Sequence, residues 1–460
     1  MKITKLFATL AVFGSLLATT AACGGSSNQI VIWVGEESLS FYQQVCNEYI
    51  EAHPDFKFKV KVVGQDTGSA AGTILQDASA AADIFTVAHD NIGKLVAAKD
   101  GKPITNEALL NQLKENTDQA YIDVCTFDEQ IYGVPYISQA LFLMYNKDKV
   151  TDEEAKTFEG LRAAAARAGS DVKGWTVSGS DGFNNSYTLL ARKEADKSTS
   201  LKLYKDGKKN LGSCWVQGDD EVASLKWAQK MKEDPNGFMW ASTTGWSSDL
   251  INGKALSVIG GAWHVKSFME SVGASNAGFA LIPTYTLDAD TAYGTATAGT
   301  VMRGGTFADV KVFMINGKSK ANKYLAEQEL ITYLSSKEIQ DRSFIACDNV
   351  PCYNSFDIEA IKAANPDLPE KSVALARVQV GMTAYGIPQP FRTGTLNTYY
   401  YSKGGPELYK TMIDKYDTSK KASVFTTDAE IVQGLYRLQY IWQHAQEPKD
   451  IPTTLPVDID

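Results

Sequence analysis

Gln29-Ile-Val-Ile-Trp33-Val34 is a continuous run of β-branched and aromatic residues stopped by Gly35, the pattern of a short buried strand. Phe41, Tyr42, Val45, Cys46, Tyr49 and Ile50 then recur at i, i+4 and i+8, one face of a helix that must halt before Pro54. Phe56, Phe58, Val60 and Val62 alternate with Lys57, Lys59 and Lys61, which predicts a half-solvated strand. Asp83-Ile-Phe-Thr-Val87 reads as a further short strand. Strand and helix alternating at this spacing predict an α/β fold with a mostly parallel sheet. The second half keeps the grammar without repeating the sequence. Lys254–Gly260 and Lys311–Ile315 are strand-like, Leu161–Ala168 is an Ala/Arg helix ended by Gly169, and Asn322–Leu334 is an amphipathic helix. Lys205–Lys209 and Asp288–Gly305, rich in Gly, Thr and Asp, read as loops or crossings between lobes. Two helical stretches follow Gly404, then a Pro-rich tail from Glu447 to Asp460.

The first residues follow a different pattern. Lys2 and Lys5 precede the uncharged, mostly apolar run Leu6–Ala22, which is marginal for a bilayer core of ~30 Å and fits an export signal better. Ala21-Ala22-Cys23 resembles a bacterial lipobox, in which Cys23 becomes a lipidated N-terminus, although Thr20 stands where such motifs carry Leu. An ordinary signal peptide with an incidental cysteine is the competing reading. Residues 23–27, with their Gly-Gly-Ser-Ser stretch, suit a flexible tether.

Composition narrows the function classes. The 460 residues allow two to four domains or two large lobes, and 44% hydrophobic with 22% charged residues is ordinary for a globular protein. Asp and Glu outnumber Lys and Arg by 54 to 45, for a net charge of −9, so no electrostatic footprint for nucleic acid is present. After Cys23 come Cys46, Cys125, Cys214, Cys347 and Cys352, with no CxxC, and His53, His89, His264 and His444 lie scattered among them. A metal site is therefore not expected, nor is any cofactor. Cys347-Asp-Asn-Val-Pro-Cys352 could close a short disulfide loop outside the cytoplasm. The sequence contains no HExxH and no phosphate-binding GxxxxGK[ST]; Ser178–Gly182 is not a GxSxG elbow, and Asp288-Ala-Asp290 is too short for a calcium loop. No catalytic motif asks for an enzyme.

One ordered set of segments is more specific. Asp83-Ile-Phe-Thr-Val-Ala-His89-Asp90-Asn91 is followed by Tyr132-Gly-Val-Pro135-Tyr-Ile-Ser-Gln139-Ala-Leu-Phe-Leu-Met-Tyr145-Asn146-Lys147-Asp148. Then come Leu250-Ile-Asn-Gly253-Lys254-Ala, Ile259-Gly-Gly-Ala-Trp263 and Tyr385-Gly-Ile387-Pro388-Gln389. In content and order these resemble the maltose/maltodextrin-binding branch of the family 1 extracellular solute-binding proteins of ABC sugar importers. The resemblance implies two α/β lobes in a periplasmic-binding-protein-like fold, with several chain crossings and a sugar held in the interlobe cleft. It places lobe 1 at 28–138 plus 298–346, and lobe 2 at 139–297 plus 347–460.

The matching positions give the expected ligand residues. Asp90 follows a strand of the first lobe and would accept hydrogen bonds from sugar hydroxyls; helix capping is its alternative. Glu36 and Glu37 occupy a polar ligand segment whose Asp-Lys pair is not reproduced, and neither is preferred over the other. Gln139 stands where a Glu ligand is found, beside a crossing. Trp263 matches an indole that stacks on a pyranose face, with core packing as its alternative. Asp181, Phe183 and Asn184 are candidates from the second lobe. Departures from the pattern bear on the ligand: Val87 replaces a Trp, Asn91 an Arg, and Phe391-Arg-Thr-Gly394 intervenes before Tyr399-Tyr400 where a close Trp-Tyr pair is usual. The expected function is a lipid-anchored, monomeric receptor on the outer face of the cell membrane that passes an oligosaccharide to permease subunits. An α-glucan such as maltodextrin is the leading ligand; a secreted carbohydrate-active hydrolase and a binder of another small solute are the alternatives.

Overall fold

The computed structural model describes residues 28–180, 182–196, 218–389 and 404–444, with residues 442–444 described by backbone alone. The leader, Cys23 and its tether, Asp181, Cys214, Lys205–Lys209, Phe391–Tyr400 and the Pro-rich tail lie outside the described residues.

The strands in chain order are β1 (Gln29–Val34), β2 (Lys59–Gly64), β3 (Ile84–Ala88), β4 (Gly101–Lys102), β5 (Thr126–Phe127), β6 (Gln130–Ile131), β7 (Val134–Ala140), β8 (Phe142–Asn146) and β9 (Trp175–Val177). They continue with β10 (Arg192–Lys193), β11 (Phe238–Trp240), β12 (Ser257–Gly260), β13 (Ala277–Ala280), β14 (Thr284–Thr286), β15 (Val301–Arg303), β16 (Thr306–Asn316) and β17 (Gly386–Ile387). One sheet runs β17-β16-β3-β1-β2, with β4 and β7 also on β16; a second runs β11-β9-β12-β8-β13. A small third sheet joins β10, β15 and β14. The fold is two-lobed α/β, one large sheet to a lobe.

Neither large sheet is mostly parallel. β2, β1 and β3 are parallel in the first, and β11, β9 and β12 in the second. Their neighbours β16, β7, β8 and β13 pair antiparallel. Every antiparallel pairing in these two sheets involves β8 or β16, which follow the chain passages at Leu141 and Gly305. β2 begins at Lys59 rather than Phe56, because β1 begins opposite it at Gln29.

The helix Leu39–Ala52 buries Phe41, Tyr42, Val45, Cys46 and Tyr49, the stripe its spacing predicts. Packing on both faces of the first sheet explains the apolar run of β16. Phe313 and Ile315 face one core with Tyr42 and Tyr136, while Val310, Val312 and Met314 face another with Phe85 and Val87. Each such side chain contributes about 1.5–3 kcal/mol on burial. The second lobe is built on aromatics: Trp227 stacks on Tyr285 at 3.9 Å and lies nearly parallel to Trp175 at 5.9 Å.

Three crossings meet at Thr306. Its hydroxyl accepts from the amide of Leu141, between β7 and β8, at 2.8 Å, and its own amide donates to the carbonyl of Tyr385 at 3.3 Å. The preceding Gly305 passes so close to the second lobe that a Cβ there would lie 1.9 Å from the Leu190 carbonyl oxygen.

The cysteines differ from expectation. Cys347 and Cys352 are free thiols. The helix Lys337–Cys347 ends with Asp348 in the left-handed region at φ 57°, and the turn sends the two thiols to different surroundings. Cys347 packs at the edge of the core that holds Tyr42, and Cys352 lies in the core that holds Cys125. The Cys352 amide donates to Gln340 Oε1 at 3.0 Å.

Candidate functional site at the strand ends

Parallel α/β sheets leave backbone and side-chain polar groups at the carboxyl ends of their strands, where ligands bind. Both lobes use one device there. β1, β3 and β12 each run into a single 3-10 turn before the next helix: Glu36–Ser38, His89–Asn91 and Ala262–His264. Four of the ligand residues expected from the sequence fall on these turns: Glu36, Glu37, Asp90 and Trp263.

In the first lobe Glu36 and Glu37 are exposed. Glu37 Oε1 lies 3.3 Å from Lys311 Nζ of β16. Asp66, just past β2, caps the helix Thr67–Gln76 by accepting from the Ser69 amide at 2.8 Å, and hydrogen bonding by Ser69 holds its carboxyl below the usual range. Asp90 is 2% exposed and accepts from Asn91 Nδ2 at 2.8 Å. The following helix, Ile92–Ala97, has Asn91 at its N-cap.

Beneath this rim lies a buried polar cluster at the crossings. The Val310 amide donates to His89 Nδ1 at 3.3 Å, which puts the ring proton on Nε2, and Nε2 donates to the Gln389 carbonyl at 2.7 Å. The Gln389 side chain donates to Asp309, and Asp309 stands opposite Gln139 in the β16–β7 register. Gln139 therefore sits inside the crossing, 7% exposed, not on the rim with Glu36 and Glu37. A buried network of this kind rigidifies the elements it joins. It ties together segments up to 300 residues apart in the chain.

The second lobe presents rings. Trp263 is 43% exposed, which excludes simple core packing as its explanation. Its indole folds over Gly261, where a Cβ would come within 2.2 Å of the ring, while a Cβ at Gly260 would come within 2.6 Å of His264 Nδ1. Phe183 backs Trp263 at 5.5 Å and stacks in turn on Phe307 at 5.7 Å, a column running inward to the start of β16. Phe183 and Asn184 are each 5% exposed, so they support the surface from below. His264 stands between Trp263 and Trp246, with ring centroids at 5.6 and 5.1 Å. Burial pushes its imidazole down to about 4, which keeps the ring neutral near pH 7.

A cavity of about 410 Å³ opens beyond β9 and β11. Ser178, Ser180, Trp240, Ser242, Thr243 and Trp246 line it together with Glu407 and Lys410. Trp240 is fixed by an indole bond to Asp414 Oδ1 at 2.8 Å. Sequence reasoning did not single out Trp246, Asp66, Asp309 or Lys311 for the site. A usable signal existed for Trp246, which follows a Ser/Thr/Gly-rich stretch directly after a strand. Asp309 and Lys311 sit in an otherwise apolar strand and carry no local sign.

These features can hold an uncharged, hydroxyl-rich molecule: carboxylates and amides for hydroxyls, and rings for the apolar face of a sugar. The chain is 24% identical over 398 residues to a galactooligosaccharide-binding protein of Bacillus subtilis (strain 168), covering 83% of this chain and 84% of the relative. It is 26% identical over 296 residues to a maltooligosaccharide ABC transporter solute-binding lipoprotein of Streptococcus pneumoniae (strain ATCC BAA-255 / R6), covering 60% and 64%. Among solved structures, a maltodextrin-binding protein from L. casei BL23 without ligand superposes with a TM-score of 0.70 at 19% identity, covering 91% of this chain and 99% of that one. An extracellular solute-binding protein from Staphylococcus aureus in complex with maltose gives 0.62 at 18% identity, covering 91% and 98%. Residues 44–370 match the family model described as bacterial extracellular solute-binding protein, and the chain belongs to that family.

Proposed function

We propose that this protein captures a neutral oligosaccharide between its two lobes and delivers it to the membrane subunits of an ABC importer, without transforming it. The observation that carries the reading is Trp263, held 43% exposed at the end of β12 by the buried Phe183–Phe307 column. A large ring braced outward in this way serves contact with a ligand better than it serves the fold. Trp263 supplies the stacking face, Asp90 with Glu36 or Glu37 reads hydroxyls, and Gln139, Phe183 and Asn184 hold these groups from beneath. Asp181 is kept as a ligand candidate from the same loop.

We take the lobes as 28–138 with 298–346 and 139–297 with 347–460; β1–β4 and β16 in one sheet and β8, β9, β11, β12 and β13 in the other support the bulk of this division, while β17 on β16 and β15 between β10 and β14 run across it. Closure on the ligand would turn about the crossings at Leu141, Gly305 and Tyr385. Export and lipidation at Cys23 would place the receptor on the outer face of the cell membrane as a monomer. Metabolic labelling with a lipid precursor should tag wild type but not Cys23→Ala, and equal labelling of both would remove the anchor.

An α-glucan of the maltodextrin type is the leading ligand, and a galacto-oligosaccharide is the second reading. A specific observation favours keeping the second: Val87, where maltose binders carry a Trp, is fully buried in the core and offers no stacking surface. The test is a thermal-shift screen of malto- and galacto-oligosaccharides. A bound ligand at 100-fold its Kd stabilises by about 2.7 kcal/mol, which is visible as a clear rise in Tm. No shift with any neutral oligosaccharide would refute the reading, and glycan shortened on overnight incubation would turn it to a hydrolase.

A further inference from the structure

β16 alternates between two cores, and Lys311 falls on the face of Phe313 and Ile315. A lysine in that row is costly, since burial of an ammonium is opposed by its lost hydration. It stands level with Ala88, the residue before His89 and Asp90, and so reaches the carboxyl end of the sheet. There it meets Glu37 at 3.3 Å and contributes to lowering the Asp66 carboxyl. One amine is thereby set among acids from the turns after β1 and β2. The amine is sunk, with a side chain 15% exposed, while Glu37 reaches outward at 55%. An ammonium carries three N–H donors, and Glu37 takes one of them.

We infer that Lys311 and Glu37 act as one sugar-reading pair on the first lobe. The Lys311 ammonium donates to one hydroxyl of a vicinal diol and the Glu37 carboxylate accepts from its neighbour, with Lys311 fixing the pose of Glu37. This rests on the oligosaccharide reading of the cleft and deepens it. Of the two adjacent acids it assigns Glu37 to the ligand, while Glu36 leans over Gly64, where its Cγ would lie 3.3 Å from an added Cβ. The cation is supplied by a strand some 270 positions away, |i−j| being 274, which is why the local sequence at 36–37 shows no basic partner.

Calorimetry with maltotetraose and with a galactotriose tests the pair in the mature chain. Lys311→Gln and Glu37→Gln should each weaken the better-bound sugar about tenfold to a hundredfold, the range for an unmatched hydrogen-bonding group. The double variant should bind within about threefold of the weaker single, because the two residues act as a unit. Lys311→Arg should restore part of the loss. Tm of the unliganded variants should stay within about 2 °C of wild type, as expected where the carboxylate of the pair is half in solvent and the lysine stem can lie along the strand. Glu37 is exposed on a turn, so Glu37→Gln keeps the test valid even if Lys311→Gln folds poorly. Binding by Glu37→Gln within about twofold of wild type, or fully additive losses in the double variant, would overturn the inference. If Trp263→Ala cripples binding while both of these variants bind normally, the inference alone fails. If wild type binds neither sugar, it fails together with the proposed function.

Discussion

The two lobes build their strand ends from the same turn and dress them oppositely. The first carries Glu36, Glu37, Asp66 and Asp90 just past its strands and Lys311 on β16, charged groups around the end of a sheet. The second carries Trp263 and Trp246 with hydroxyls about them, rooted in packed rings. On the proposed function, the difference would divide the labour of binding. Rings supply area that is nearly blind to which way a hydroxyl points, whereas a carboxylate discriminates, since an unmatched polar group costs about 1–3 kcal/mol. Two lobes offering only rings would bind many sugars loosely. Two lobes offering only charges would leave the sugar's apolar face unburied.

The largest expected effect tests how deeply the aromatic half is rooted. Phe183→Ala should destabilise the protein by about 3–5 kcal/mol in urea denaturation, the usual cost of emptying a buried ring site. A cost near zero would mean that the column does not brace Trp263.

Next comes pH. The folded-state pKa of His264 is depressed, from 6.5 to about 4, so the unfolded chain binds the proton more readily. The stability it contributes is present above pH 6.5 and lost as pH falls towards 4, up to about 3 kcal/mol. Glu221 and Glu327, raised by burial to about 8 and about 7, run the other way and lose stability as pH rises from 4.5. The difference between wild type and His264→Gln isolates the histidine part. Equal pH profiles for the two would show that His264 is solvated in the folded protein.

Trp263→Ala should then weaken every bound oligosaccharide by about 1.5–3 kcal/mol irrespective of epimer, as loss of buried apolar surface does. Asp90→Asn should cost about 1–3 kcal/mol only for sugars presenting the matching hydroxyls, which changes the ratio between epimers rather than all affinities together. If the two variants gave the same pattern across a sugar panel, the division between the lobes would be wrong. Smallest is salt: raising NaCl from about 0.05 to 0.5 M should change affinity for a neutral sugar less than about twofold, because no net ligand charge is there to screen.

Local pattern carried the elements, and distance hid the rest. The strand from Gln29, the helix after it and the helix ended by Gly169 are set by adjacent residues and were legible in the chain. The antiparallel partners were not, because β16 meets β3 and β7 only after two-thirds of the chain has been laid down. Trp263 could be noticed from its Gly-Gly but not known to be exposed, since exposure is decided by Phe183 and Phe307 behind it. Gln139 stood at the position of a Glu ligand beside a crossing, and the structure buries it there opposite Asp309 of a strand 170 residues later. The cysteine spacing suggested a loop, and the left-handed turn at Asp348 sends the thiols to separate cores.

Isothermal titration of wild type and Trp263→Ala with maltotetraose and a galactotriose most directly tests the central claim, capture of a neutral oligosaccharide between a selecting lobe and a stacking lobe. The account predicts saturable one-to-one binding of at least one of them, weakened in the variant by about tenfold or more. Absence of binding to both, or undiminished affinity without the indole, would contradict it.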